Sequence, residues 1–329
     1  MSGSQLNIRS GDAVLMVQLR AMGDTLLSTP LFRSFKQSFP ASSIDVLVEP
    51  LPAQVLKNNP YIRNIHIAPV SRSSFRSYIP ILRRLRKERY SLAIDLLSTP
   101  GSALLTRMTG AKYRIGYRLR GRSWAYTHPA ERSIKPVYNP LTKFDLTAAL
   151  NVKSADLSLN IFPGEDDERR ANDTLEKFGL NDSTVICALA SWSKRAWRRW
   201  DAKAWLDVIK QVSRQHNVSW LLFASSRERA ELDDIENASD ININWAGAQD
   251  ILHAAALMKR CSAMLCADNG LKHIAVAMGV PTLTVFTGSD FQVWNPPDDP
   301  NHPYFDLREV KYNQSLLSKI SDTFERIII

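Results

Sequence analysis

The stretch CSAMLCADNGLKHIAVAMGVPTLTVFTGSD, residues 261–290, decides the fold. Residues 263–267 form a short apolar run of the kind that makes a buried strand, and the run stops at Asp268-Asn269-Gly270, a turn signal. From Leu271 the apolar positions change period. Leu271, Ile274, Ala275 and Met278 share one helical face, and Gly279 followed by Pro281 ends the helix. Residues 282–286 give a second strand. Strand, polar turn, helix and strand make the crossover unit of a parallel sheet. Its turn lies at the carboxyl end of a strand, where open α/β sheets bind ligands.

That turn suits an anionic, hydroxylated ligand. Gly270 lets the backbone come close, and the N–H groups of the first helical turn attract phosphate. Asp268 can accept hydrogen bonds from sugar hydroxyls, and His273 sits in the first turn facing the same mouth. Singly, each residue has a plainer role: Asp268 as a helix cap, His273 as a half-buried, hydrogen-bonded side chain. Together they favour a nucleotide-sugar.

The same arrangement opens the chain. Residues 13–19 (AVLMVQL) run into Arg20-Ala21-Met22-Gly23-Asp24-Thr25 before helical periodicity begins, and Pro30 either kinks the helix or marks its true N1 position after Thr29, with the helix continuing to about Phe39. Asp24 thus stands at the mouth of the first strand, where spacing alone makes it an N-cap. Further strands are expected over 43–48, 64–68, 93–97, 184–190, 218–223 and 241–245. Helices are expected between them, over 78–88, from Pro100 to near Gly110, and over 166–178, 203–214, 250–259 and 315–328. Alternation of this kind predicts doubly wound α/β sheets. A chain of 329 residues exceeds what one core usually serves, so two domains are expected. The sheet pattern lapses between His128 and about Thr184, among Pro129, Pro136, Pro140 and Pro163, which places the domains at 1–165 and 166–329.

The formal net charge of +9 predicts attraction to polyanions: nucleic acid, an anionic membrane face or a phosphorylated substrate. One basic cluster, from Arg72 and Arg76 through Arg83, Arg84, Arg86, Lys87 and Arg89, reads equally as a solvated helix face or a docking surface. A second lies in 112–124 (KYRIGYRLRGRSW), read as a loop after a strand, where Arg118, Arg120 and Arg122 could converge on a bound anion. A third is SWSKRAWRRW, residues 191–200, with four cations and three tryptophans directly after a strand. Arg198 and Lys194 there read as a phosphate clamp, while at least one of Trp197 and Trp200 packs on the next helix, capped by Asp201. Glu228, in the first turn of a later helix, is either an ordinary first-turn acid or a ribose ligand.

The three cysteines, Cys187, Cys261 and Cys266, all fall in apolar runs, which argues for a reducing compartment. No stretch approaches the roughly 20 apolar residues of a membrane helix, and the first residues carry no signal-peptide pattern. A cytoplasmic protein, soluble or peripherally attached, is the expectation.

The string Asp268-Asn269-Gly270-Leu271-Lys272-His273-Ile274-Ala275, continuing through Gly279-Val280-Pro281 to Phe286-Thr287-Gly288, resembles the signature of the lipopolysaccharide heptosyltransferases, glycosyltransferase family nine. The resemblance implies GT-B architecture over nearly the whole chain, two Rossmann-like domains facing across a cleft, the first binding acceptor and the second the nucleotide-sugar. It implies an inverting transfer from ADP-heptose to the lipid A-proximal inner core, at the cytoplasmic face of the inner membrane, with no cofactor and no metal. In the family an aspartate in a Met-Gly-Asp-like turn is the proposed base, a role that passes to Asp24. Ser191 and Arg198 match the family's small hydroxyl residue and its lysine ahead of Trp200, and Glu228 matches its ribose-binding acid. The donor set implied is Ser191, Lys194, Arg198, Glu228, Asp268, Asn269, Gly270 and His273, and the acceptor set is Arg20, Arg118, Arg120 and Arg122. The chain departs from the pattern at Asn269, commonly Thr or Ser, and at Asp201, usually Pro.

Two other classes compete. A nucleotide-dependent oxidoreductase would need G-x-G-x-x-G after Leu19 or Ala190, and neither strand is followed by it. A basic nucleic-acid-binding protein fits the charge, but no module with aromatics on paired strands is visible, so nucleic acid is not an expected partner.

Overall fold

The computed structural model describes residues 6, 8–9, 11–70, 74–152, 156–229, 241–247, 250–310 and 313–328; Arg72 lies outside them. The chain divides into two compact units, Met1–Phe162 and Pro163–Ile329.

In the first unit, β1 (Ala13–Val17), β2 (Ser43–Val48), β3 (Asn64–Ile67), β4 (Leu92–Asp95), β5 (Tyr113–Tyr117) and β6 (His128–Ala130) form one sheet in the order β3-β2-β1-β4-β5-β6. All its ladders are parallel. Parallel strands covered on both faces read as unbroken apolar runs, which is why AVLMV of β1 shows no polar alternation. Val14 and Met16 pack with Phe32, Phe35 and Ile44 on one face, while Leu15 and Val17 meet Leu82 and Leu85 on the other.

In the second unit, β7 (Val185–Ala190), β8 (Val218–Leu222), β9 (Ile243–Trp245), β10 (Ala263–Ala267), β11 (Thr282–Phe286) and β12 (Tyr304–Asp306) follow the order β12-β11-β10-β7-β8-β9, again all parallel. Its core joins Leu189 and Leu265 to Trp205, Trp220 and Phe324, the last two rings stacked at 5.6 Å.

Strand order locates the ligand crevices. Winding reverses between β1 and β4 in the first sheet and between β7 and β10 in the second, and doubly wound sheets bind ligands beyond the carboxyl ends of the strands at such reversals. In the first unit the loops there lead to Asp24 and away from Asp95. In the second, Ala190 pairs with Cys266, so the loops starting at Ser191 and Asp268 leave the sheet side by side.

The structure corrects three readings. Residues 112–124 are not a loop throughout, because Tyr113–Tyr117 is β5. Its Arg114 gives its guanidinium to the Ala111 and Ala125 carbonyls, and Gly116 leaves room for the Tyr126 ring, whose Cζ would lie 2.2 Å from any Cβ there. The short edge strand β6 arises where the sheet pattern was expected to lapse among prolines, and the strand β12 was not expected at all. The first helical segment is two helices, Met22–Leu26 and Thr29–Ser38, rather than one kinked at Pro30; the other reading of Pro30, as a helix start, holds, and in that first turn its missing N–H removes no hydrogen bond.

Candidate functional site

Asp268, the first residue after β10, is buried with an accessibility of 3% and is surrounded by donors. Arg198 Nη1 donates to Oδ2 at 2.9 Å, Ser289 Oγ donates to the same oxygen, and Lys272 Nζ lies 3.3 Å from Oδ1. Burial alone would push this carboxyl up, but Lys272, Ser289 and Arg198 hold it below the usual carboxylate range. Lys272 has no accessible surface; its Nζ also donates to the Trp294 carbonyl at 2.7 Å and lies 4.8 Å from the Phe286 ring centroid. Burial pushes its pKa down, against the opposing pull of Asp268.

The helix Gly270–Ala277 is capped by Asn269 rather than by Asp268. Asn269 Oδ1 accepts from the N–H groups of Leu271 and Lys272, and its Nδ2 donates to the carbonyls of Ala190 and Trp192. One amide thereby ties the ends of β7 and β10 together. It also occupies two of the first-turn N–H groups that the sequence assigned to phosphate.

Arg198 belongs to a single 3-10 turn, Ala196–Arg198, held between two walls. Its guanidinium stacks 4.7 Å over the Trp197 ring, and Gly288 lets that ring close in. A Cβ at Gly288 would lie 2.2 Å from Trp197 Cε3 and 2.6 Å from its carbonyl oxygen, so only glycine permits this approach. Trp200 packs edge-on against Trp205 at 5.0 Å, and Asp201 accepts from the N–H groups of Lys203 and Ala204, capping Ala202–Gln215.

Three buried polar atoms in this group lack a hydrogen-bond partner within the protein: Ser191 Oγ, Arg198 Nε and His273 Nδ1. Burial, with Lys272 and Arg198 adding to it, pushes His273 down to about 3, so the imidazole is neutral at pH 7. Unpaired polar atoms beside a charged pair at a strand-end crevice are what a polar ligand would satisfy.

The remaining donor-set residues sit apart in role. Lys194 is exposed. Glu228 is half-buried and committed locally, its Oε2 accepting from Ser225 N–H at 2.7 Å while Ser225 Oγ accepts from Glu228 N–H.

In the first unit Asp24 is half-buried in the five-residue helix after β1, its carbonyl accepting from Ser28 Oγ. Buried Lys143, which sequence reasoning missed, donates from Nζ to the Leu96 carbonyl at 2.9 Å, just beyond β4. Burial pushes Lys143 down, and the charges of Asp24 and Asp95 oppose it. Arg20 and Arg120 are exposed, Arg122 is half-buried, and Arg118 is paired with Glu131 at 2.5 Å.

Lys272 was also overlooked, although its place four residues after Asp268 is the spacing at which helical side chains meet. Among the described residues no group of three or more His, Cys, Asp or Glu is gathered to hold a metal, and no helix is long and apolar enough to cross a membrane. Burial pushes the Cys187 and Cys266 thiols up to about 12, so neither is a thiolate nucleophile.

Two Rossmann-like sheets in one chain are the make-up of the GT-B fold, and solved structures of glycosyltransferases share it. The glycosyltransferase family 9 protein of Veillonella parvula superposes with a TM-score of 0.89 at 16% identity, covering 98% of both chains. The E. coli heptosyltransferase WaaC, solved with ADP-2-deoxy-2-fluoro heptose, gives 0.68 at 17% identity over 96% of this chain and 98% of that one. Among curated proteins, lipopolysaccharide heptosyltransferase 3 of Escherichia coli (strain K12) is 25% identical over 298 residues, 84% of this chain and 83% of its own. The sequence model of glycosyltransferase family 9 (heptosyltransferase) matches residues 79–311, and the chain belongs to that family.

Proposed function

We propose that the enzyme moves a heptose from ADP-heptose to a phosphorylated glycolipid acceptor, the lipid A-proximal inner core of lipopolysaccharide. The reading places it at the cytoplasmic face of the inner membrane, touching the membrane peripherally. The observation that carries it is the Asp268–Arg198 pair at the β7/β10 reversal, ringed by the unpaired Ser191 Oγ, Arg198 Nε and His273 Nδ1. Two of the proteins named above, both from E. coli, are heptosyltransferases by description, and one of them was solved with an ADP-sugar analogue.

In this reading the unit after Pro163 holds the donor. Arg198 and the exposed Lys194 meet the diphosphate, Ser191 and His273 supply neutral contacts, and Gly270 lets the ligand approach the backbone. Asp268 keeps Arg198 aimed and Asn269 holds the two loops at a fixed separation, so both act on the donor through their neighbours. Glu228 lies beside the ribose. The first unit binds the acceptor, with Arg20, Arg118, Arg120 and Arg122 drawing its phosphates.

The step is a single displacement with inversion. Asp24 takes the proton of the acceptor hydroxyl, and that oxygen bonds to the anomeric carbon as the carbon–oxygen bond to the diphosphate breaks. The bonding pair leaves with ADP, where the fixed cations stabilise the developing charge without a metal. The test is transfer by the purified enzyme from ADP-heptose in excess chelator, with product stereochemistry read by NMR. Retention at the anomeric carbon, or turnover that stops in chelator and returns with a divalent cation, refutes the mechanism.

A further inference from the structure

The first unit carries an exposed apolar groove that the transfer reaction does not use. It encloses about 540 Å³ and is lined by Pro50, Ile67, Val70, Pro80, Ile81 and Arg84. Val70 is 57% exposed and Ile67 47%, and Leu51 and Ile79, each next to a lining proline, are exposed as well. Apolar side chains so concentrated at one place on a surface mark an interaction site.

The chain around the groove supplies the partner's chemistry. The helix Ile79–Lys87 buries Leu82 and Leu85 and turns Arg83, Arg84, Arg86 and Lys87 outward, with Arg76 exposed one turn earlier. An apolar strip beside a dense row of cations matches the boundary of an anionic bilayer, where apolar side chains enter the acyl edge and cations stay among the headgroups. The long stems of Arg and Lys suit that position. A protein partner would need acidic groups opposite these cations, whereas a bilayer supplies negative charge over any area.

We infer that this groove and the outer face of Ile79–Lys87 form the membrane-docking surface, taking anionic phospholipid. The inference rests on the lipid-linked acceptor proposed above and assigns the contact to particular residues.

The experiment is flotation of the full chain with vesicles of phosphatidylglycerol and phosphatidylethanolamine, against vesicles of phosphatidylcholine alone. Two variants are compared with the wild type: Ile67→Ser with Val70→Ser, and Arg83→Glu with Arg84→Glu. All four positions are exposed, and unchanged thermal unfolding verifies the fold. Wild-type protein floats with the anionic vesicles only, and less so as salt rises. The charge-reversal pair removes two cations and adds two anions, lowering that partitioning by at least about 30-fold, the figure for the lost cations alone, and the apolar pair also lowers it. Both variants keep wild-type transfer to a deacylated, water-soluble acceptor, because the groove lies outside the proposed chemistry. Variants that float like the wild type, or wild-type protein that ignores anionic vesicles, overturn the surface. Protein that floats as expected yet transfers no heptose overturns the proposed function and leaves the surface standing.

Discussion

Replacing Asp268 with Asn tests whether the buried charge pair organises the donor site. Lys272 has no accessible surface, and among the described residues its one ionic partner is Asp268 at 3.3 Å. Removing one member of a buried pair leaves the other uncompensated, which costs about 3–5 kcal/mol. The variant also acquires a steeper pH dependence. Without Asp268 the largest opposition to the downward push of burial on Lys272 is gone, so the folded lysine gives up its proton at a lower pH than it does in the wild type. The unfolded state then binds more protons than the folded one as pH approaches the free lysine range, so stability rises with pH there, more steeply than in the wild type. In the wild type, where Asp268 opposes the burial, Lys272 is depressed less and stability rises less steeply with pH. Urea titration followed by tryptophan fluorescence reads the relevant unit, because seven of the eight tryptophans follow Pro163. Adding Lys272→Met to Asp268→Asn removes the stranded charge and recovers most of the lost stability. A single variant as stable as the wild type, or a double variant no better than the single, would refute the argument.

Other outcomes follow from the same geometry. Asp24→Asn lowers kcat by about 10²–10⁴ with little change in donor KM, and equal loss in donor binding would remove its role as base. Gly288→Ala forces Trp197 and so Arg198 from their places, raising donor KM roughly 10- to 100-fold in steady-state kinetics; unchanged kinetics would mean Arg198 does not touch the donor. With its pKa near 3, His273 gives no inflection in kcat/KM between pH 5 and 8, and an inflection that vanishes in His273→Gln would show it titrating there.

The fold was legible because buried parallel strands announce themselves as apolar runs. Ala263–Ala267, Ser43–Val48 and Thr282–Phe286 begin and end where the sequence places them, each bounded by a polar or proline-containing turn. Legibility failed where polar side chains lie within strands. In β5, Tyr113, Arg114 and Gly116 disguise the pattern, since Arg114 is satisfied by the carbonyls of Ala111, three residues earlier, and Ala125 in the following turn. The three-residue edge strands β6 and β12 hold too few residues to show any period. In the candidate site, motif and spacing led to Asp268 and Arg198, but not to what holds them. Lys272 looks like an exposed helix cation until the Trp294 carbonyl and the Phe286 ring are seen around it, and Lys143 is likewise buried only by tertiary packing. Asn269 reads as a ligand contact until its four hydrogen bonds are counted.

The most direct measurement mixes purified enzyme with ADP-heptose and a phosphorylated inner-core acceptor and follows ADP release and glycolipid mass together, for the wild type and for Arg198→Ala. The account predicts one heptose added per ADP released, and a fall in kcat/KM of about 10²–10³ in the variant, as expected when a donor aimed at the leaving group is lost. Full activity in Arg198→Ala, or transfer from another nucleotide-sugar with none from ADP-heptose, would contradict it.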